Sequence, residues 1–389
     1  MKKLLFYVFI LFILKANFAQ TQERKTMVWD GAEREYLRFL PENLTESAPV
    51  LFCLHGWGDN MFDFSENFDF NPIASENGWI VITPQALPAT VSIPLLGEEE
   101  IGTMWNAGIS ISFGIMDIHI NADVDDKGFL MAILDTLIEN YNIDQSKIFF
   151  CGFSMGGFMA NRMAIEYGDR ITAIASASGT IATSLSTQTP VAKVNTIHIH
   201  GDADEMVSYA NASFSFYPEI GTISLGLGAE ATVEYWRNHN QCNTTAEIYE
   251  YPDLVEDGLT FTRYTYSGGA DNTTTVLIRV NGGVHLPYFQ PYNDIDYRIE
   301  MFNFFTDQPV SIKENDMSEV SIYPNPVNNT LFIEGNDITR IEIYDMQGRI
   351  IKSEVKTTNQ LNVSDLNQGI YMIKVQTVDG QKIMKFVKI

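Results

Sequence analysis

The run CGFSMGG, residues 151–157, sets a serine between two glycines in the pattern G-x-S-x-G. A serine hydroxyl is a weak nucleophile until a base takes its proton. It must also stand clear of the backbone, which a sharp turn from strand to helix achieves. That turn leaves no room for β-carbons two places before and after, so glycine brackets Ser154. Imidazole has a suitable pKa for the base, and a carboxylate must hold its tautomer. Of six histidines, His285 sits in NGGVHLPY, just past a strand-like run and on a loop freed by two glycines. His239, in WRNHNQC, follows a helical stretch and reads as a surface residue. The acid comes from IHIHGDADEMV, where Asp202 and Asp204 both follow an apolar run. Asp204 is preferred and Asp202 stays open, since one of the two could instead cap a helix.

An acyl-transfer site also needs donors for the oxyanion. The Met155 backbone N–H, opening the helix after Ser154, is one. The Trp57 N–H, in the loop LHGWGDN at 54–60, is the other. His55 in that loop reads as a structural hydrogen-bonder. His198 and His200 alternate along one run and read as core or loop-bracing residues. No His/Asp/Cys spacing fits a zinc site, so the chemistry calls for no metal or cofactor.

These residues need a frame. VLFCLHG (50–56), WIVITP (79–84), KIFFCG (147–152), NTIHIHG (195–201) and TVLIRVNGG (275–283) are short apolar runs ending in Gly, Pro or polar residues. Apolar on both faces, they suit buried parallel strands. Helical patterns lie between them: one from Phe129 to Ile138 that Asp125 or Asp126 could cap, and one from Met155 to Tyr167. Alternation of strand and helix, with chain order Ser, acid, His, predicts an α/β-hydrolase fold, its site at the carboxyl ends of the strands. Residues 85–124 fit no regular pattern and are expected to form a wall or lid.

Residues 306–319 are polar, contain a proline and read as a linker. Residues 320–389 hold short alternating strands with turn signals at Gln347-Gly348 and Asp379-Gly380, and predict a small β-sandwich. They contain no His or Cys, and nothing there looks catalytic.

The 389 residues carry a formal net charge of −24, which excludes a nucleic-acid partner. Residues 1–19 hold three lysines, no acid and an apolar run from Leu4 to Leu14. This reads as a secretory signal peptide, too short to span a membrane. No later run suits a transmembrane helix. Three cysteines, Cys53, Cys151 and Cys242, are too few and odd in number for a disulfide scaffold. The expected domains are therefore a leader (1–19), a hydrolase (20–305), a linker (306–319) and a β-sandwich (320–389).

Residues 28–305 resemble the secreted esterases of carbohydrate esterase family one, which include feruloyl esterases, acetyl xylan esterases and the related polyhydroxybutyrate depolymerases. The resemblance rests on LHGWGDN, MWNAG (104–108), DVDDKGFL (123–130), CGFSMGGFMANRMA (151–164), HGDADEMV (200–207) and NGGVHLPY (281–288), in order. It implies Ser154 as nucleophile, Asp204 as acid, His285 as base and the Trp57 and Met155 amides as oxyanion hole. It implies an ester of plant polysaccharide such as xylan as substrate, with Trp57 and Trp105 expected to stack on a sugar or an aromatic acyl group. Core packing is the other reading of both tryptophans. Family members usually place glycine before the histidine and tryptophan shortly after it. Val284 and Leu286-Pro287-Tyr288 stand here instead. Rival readings are a polyester depolymerase, a serine peptidase of the prolyl oligopeptidase type, and a carbohydrate-binding protein with an inactive triad.

Residues 320–389 resemble the C-terminal sorting domain of the type nine secretion system, through YPNP (323–326), IEIYDMQGRII (341–351), LNQGIYMIKV (366–375) and KFVKI (385–389). That implies a Bacteroidetes-type bacterium, the secretion machinery as partner, an extracellular or cell-surface location, and removal of this domain. A glycan-binding sandwich is the alternative.

Overall fold

The structure, a computed structural model, describes residues 21–44, 47–93, 97–112, 117–211, 213–215, 222–306, 320–335, 338–344, 350–355, 360–377 and 381–389. The expected leader, linker residues 307–319 and both turn dipeptides of the C-terminal region lie outside it.

The chain opens with β1 (Thr21–Trp29) and β2 (Ala32–Leu40), then β3 (Ala48–Leu54), α1 (Met61–Asn67), α2 (Asn71–Asn77) and β4 (Ile80–Pro84). Two hairpins follow, β5 (Pro88–Ile93) with β6 (Gly97–Thr103) and β7 (Ser110–Ser112) with β8 (Asp117–His119). Next come α3 (Asp126–Asn140), β9 (Ile143–Phe153), α4 (Met155–Tyr167), β10 (Ala173–Ala177) and β11 (Asn195–Gly201). A third hairpin, β12 (Ser213–Ser215) with β13 (Thr222–Ser224), precedes α5 (Ala229–Asn240), β14 (Glu247–Glu250), β15 (Thr260–Tyr266), β16 (Thr275–Asn281) and α6 (Tyr297–Phe305).

Ten strands form one sheet in the order β1-β2-β4-β3-β9-β10-β11-β16-β15-β14. The six from β4 to β16 run parallel, with antiparallel pairs at both edges. All seven residues of β3 are buried, as a strand covered on both faces requires. Its alternate side chains feed two cores. Val50, Phe52 and Leu54 face α3 and α4, where Phe52 stacks on Phe150 at 4.4 Å. Leu51 and Cys53 face α1 and α6. Asp125 caps α3 by accepting from the Gly128 amide at 3.0 Å, one of the two caps expected.

Local reading overlooked β1, β2, β10, β14 and β15. In β10 the sequence AIASA is too poor in branched residues to announce a strand, yet every position is buried between two parallel neighbours. Residues 85–124, expected to be irregular, contain two hairpins among the described residues.

The C-terminal region adds β17 (Ser321–Tyr323), β18 (Thr330–Glu334), β19 (Ile338–Tyr344), β20 (Ile350–Val355), β21 (Gln360–Asn362), β22 (Gly369–Thr377) and β23 (Gln381–Lys388). A sheet β17-β18-β21 and a sheet β20-β19-β22-β23 share one core built on Leu331, Ile333, Ile343, Ile373 and Phe386. This is the expected small sandwich.

Candidate active site

Strand β9 ends at Phe153, and α4 begins at Met155. Ser154 alone makes the turn, with φ 53° and ψ −120°. Few residues other than glycine hold such a backbone, and strain of this kind persists where surrounding structure enforces it. The glycines explain the enforcement. A β-carbon on Gly156 would lie 1.9 Å from the Leu54 carbonyl oxygen, and one on Gly152 would lie 2.2 Å from the Gly156 backbone. The helix can start only where no side chain separates it from β3 and β9.

His285 follows β16, and Asp204 follows β11. The Ser154 hydroxyl lies 2.9 Å from His285 Nε2, and His285 Nδ1 lies 2.7 Å from Asp204 Oδ2. With the carboxylate ionised, Nδ1 carries the proton and donates it, leaving Nε2 free to accept from the hydroxyl. Asp204 is buried, which pushes its carboxyl up; hydrogen bonds from His200, His285 and the Val207 amide outweigh this and hold it well below its ordinary value. Its other oxygen, Oδ1, accepts from the Met206 and Val207 amides at 2.9 and 2.8 Å. One carboxylate thus performs both the turn-capping and the imidazole-holding roles that the sequence left divided between two.

Asp202 is turned away. It pairs with Arg279 at 2.8 Å and accepts from the Gly282 amide at 2.7 Å. It fixes the start of the histidine loop without touching His285. The Tyr288 hydroxyl accepts from the Val284 amide at 2.8 Å and braces the same loop.

Met155 is the first residue of α4, so its amide has no partner within the helix. Trp57 lies in the loop after β3 and borders the same cavity as Met155 and Ser154. Beneath this loop His55 is fully buried, and its Nε2 accepts from the Ala86 amide at 3.1 Å. Burial pushes its pKa down to about 4.

Trp105 does not take the stacking position expected of it. It is fully buried, and its indole N–H donates to the His55 carbonyl at 2.9 Å. The neighbouring Asn106 amide donates to Asp126 at 2.6 Å, and Asp126 pairs with buried Arg34 at 2.6 Å. These bonds hold the Met104–Asn106 stretch against the core with Trp105 fully buried, so Trp105 supports the loop instead of facing a ligand. Trp57 is half-buried, lines the cavity, and donates its indole N–H to the Ile101 carbonyl.

The cavity over Ser154 and His285 measures about 450 Å³. Its walls include Met104, Ile109, Ile120, Phe158, Val207 and Leu225, with Asp59 as an acidic side chain. Such a wall suits an apolar group carried to the serine. Met206, Val284 and Leu286, beside the site, are large exposed apolar side chains.

Sequence reasoning missed the place of His200. It expected a core or bracing residue and had no means of placing His200 against Asp204 itself, at 3.3 Å. The spacing of four residues in HGDAD is the signal that could have suggested it. Among the described residues no group of His, Cys, Asp and Glu is arranged to hold a metal.

Residues 40–216 match the phospholipase/carboxylesterase family, and residues 321–389 match the secretion system C-terminal sorting domain. A bifunctional acetylxylan esterase/xylanase of Neocallimastix patriciarum is 22% identical over 287 residues, covering 73% of this chain and 35% of that protein. The chain therefore spans about a third of that relative's length. Feruloyl esterase D of Neurospora crassa is 23% identical over 260 residues, covering 66% of this chain and 76% of the relative. Among solved structures, an acetyl xylan esterase from Aspergillus awamori superposes with a TM-score of 0.47 at 16% identity, covering 72% of this chain and 99% of that one. The chain thus joins an α/β-hydrolase domain, whose residues 40–216 are similar to the phospholipase/carboxylesterase family, to a C-terminal region similar to the secretion system C-terminal sorting domain.

Proposed function

We propose that the chain is a secreted serine ester hydrolase acting on acyl esters of plant polysaccharide. The observation that carries this reading is the hydrogen-bonded chain from Ser154 through His285 to Asp204, opening on an apolar cavity. Ser154 Oγ attacks the ester carbonyl as His285 Nε2 takes its proton. The oxyanion rests on the Trp57 and Met155 amides. The alcohol leaves with the proton from His285, and water repeats the cycle on the acyl-enzyme. The relatives named for acetylxylan and feruloyl esters suggest the two acyl groups to compare. The cavity is far larger than an acetyl group needs and is mostly apolar, which favours the feruloyl type. The match to the sorting domain supports export by the type nine secretion system, with the product outside the cell or on its surface.

The test is release of acids from feruloylated, acetylated arabinoxylan by wild type and Ser154→Ala. Ferulate from wild type alone is the expected result. Acetate without ferulate would overturn the choice of acyl group, and no acid at all would overturn the polysaccharide reading. A second reading, hydrolysis of an aliphatic polyester, is favoured by exposed Met206 on the cavity wall and Val284 and Leu286 on either side of His285. Hydroxyacid oligomers released from a polyester film would establish it.

A further inference from the structure

His200 Nε2 lies 2.8 Å from the Val207 carbonyl oxygen and 3.3 Å from Asp204 Oδ2. Both are acceptors, so Nε2 carries a proton and Nδ1 is left to accept. The Nδ1 atom faces His198 Nε2 at 3.0 Å. His198 is buried, and its own Nδ1 has no hydrogen-bond partner. An orphaned acceptor is tolerated inside a protein more readily than an orphaned N–H, so His198 donates from Nε2. Every proton in the row then points one way, from His198 to His200 and on to the Val207 carbonyl, with Asp204 Oδ2 beside it as the longer, second acceptor. Oxygen Oδ2 meets two imidazoles, His285 as a hydrogen-bond donor at 2.7 Å from the active-site side and His200 as a longer polar contact at 3.3 Å from the core side.

We propose that His200 is a positioning residue for the base: its Nε2–H fixes the Asp204 carboxylate and draws charge from the oxygen that holds His285. The proposal rests on the serine-hydrolase reading. A carboxylate held by one imidazole and two amides can still rock about its Cβ–Cγ bond. The His200 N–H, shared between the Val207 carbonyl and Oδ2, limits that freedom from the core side. Other charged or titratable groups packed around the row are Tyr209, whose ring meets His200 edge-on at 5.6 Å, Arg279 over that ring, and Glu230 at the Tyr209 hydroxyl. The Tyr288 and Tyr297 phenols also lie near Asp204; burial, and then its charge, push both up. All of these, and His198, are common to the variants below and cannot produce a difference between them.

In shape, a glutamine amide nitrogen falls where His Nε2 stands, and an asparagine amide falls where Nδ1 stands. His200→Gln therefore keeps the donor to Asp204, and His200→Asn removes it. The experiment measures labelling of Ser154 by an organofluorophosphonate, with kcat and KM on p-nitrophenyl acetate, from about pH 5 to 9. The glutamine variant is expected within about 3-fold of wild type. The asparagine variant is expected to lose about 10-fold or more in kcat and in labelling rate, with KM little changed. Equal behaviour of the two variants overturns the proposal but leaves the hydrolase reading standing. Absence of labelling in wild type sinks that reading, and the proposal with it. Nitrogen-15 NMR of histidine-labelled wild type needs no variant: His200 as the Nε2–H tautomer supports the proposal, and the Nδ1–H tautomer overturns it.

Discussion

Ser154 makes one hydrogen bond in the site, to His285, and its hydroxyl is the smallest change that removes the nucleophile. Ser154→Ala is expected to lower kcat on any hydrolysed ester by at least ~10⁴-fold, with Tm nearly unchanged. The two candidate acids separate cleanly. Asp204→Asn leaves an amide against His285 Nδ1 and favours the wrong tautomer, so kcat should fall about 10⁴-fold. Asp202→Asn weakens only the Arg279 and Gly282 contacts that hold the loop, and should cost less than about 10-fold. Steady-state kinetics of the pair decides which carboxylate is the triad acid. His55 carries a pH effect on stability. Burial pushes its pKa down to about 4 from 6.5, so between those values the unfolded chain binds a proton and the folded chain does not. Stability is complete above about pH 6.5 and falls as pH drops towards 4, by up to about 3 kcal/mol. Buried His198, also depressed, adds to the same slope. Urea unfolding at several pH values checks this, and His55→Gln should flatten the dependence.

At the scale of elements, the serine turn depends on how closely α4 approaches β3 and β9. Gly156→Ala would drive a methyl group against the Leu54 carbonyl, and backbone cannot yield there as a flexible side chain would. The expected loss is at least ~3 kcal/mol, with most activity gone. Gly31 gives the contrast. It has φ +77° in the β1–β2 turn, with open space around its missing Cβ. Gly31→Ala should cost about 1 kcal/mol through backbone strain and leave kcat untouched. Thermal melts of the two variants distinguish a packing role from a conformational one. The strand ends explain why the site could be found from residue order. β9, β11 and β16 are parallel members of one sheet, so their following loops, carrying Ser154, Asp204 and His285, emerge at one edge.

At the scale of the molecule, the hydrolase sheet and the C-terminal sandwich have separate cores. A chain ending at residue 306 should hydrolyse a soluble ester within about 2-fold of the full chain, because no residue of the candidate triad or cavity lies beyond it. In the native host the same truncation should remain inside the outer membrane, and fractionation with activity assays checks both statements. Residue order alone made legible the serine turn, the order of nucleophile, acid and base, the parallel strands around them and the sandwich. Each of these is a local pattern of residue type and spacing, and parallel strands bring their loops together wherever the chain returns to the sheet. It could not place Trp105, because whether that ring meets a ligand or the core depends on Asp126 and Arg34, the latter 71 positions away in the chain. Nor could it choose between Asp202 and Asp204, which share the same loop and differ only in the direction each carboxylate faces. The contact of His200 with the acid was hidden for the same reason. Side-chain direction at the end of a strand is set by the packing around it, and tertiary structure alone decides that.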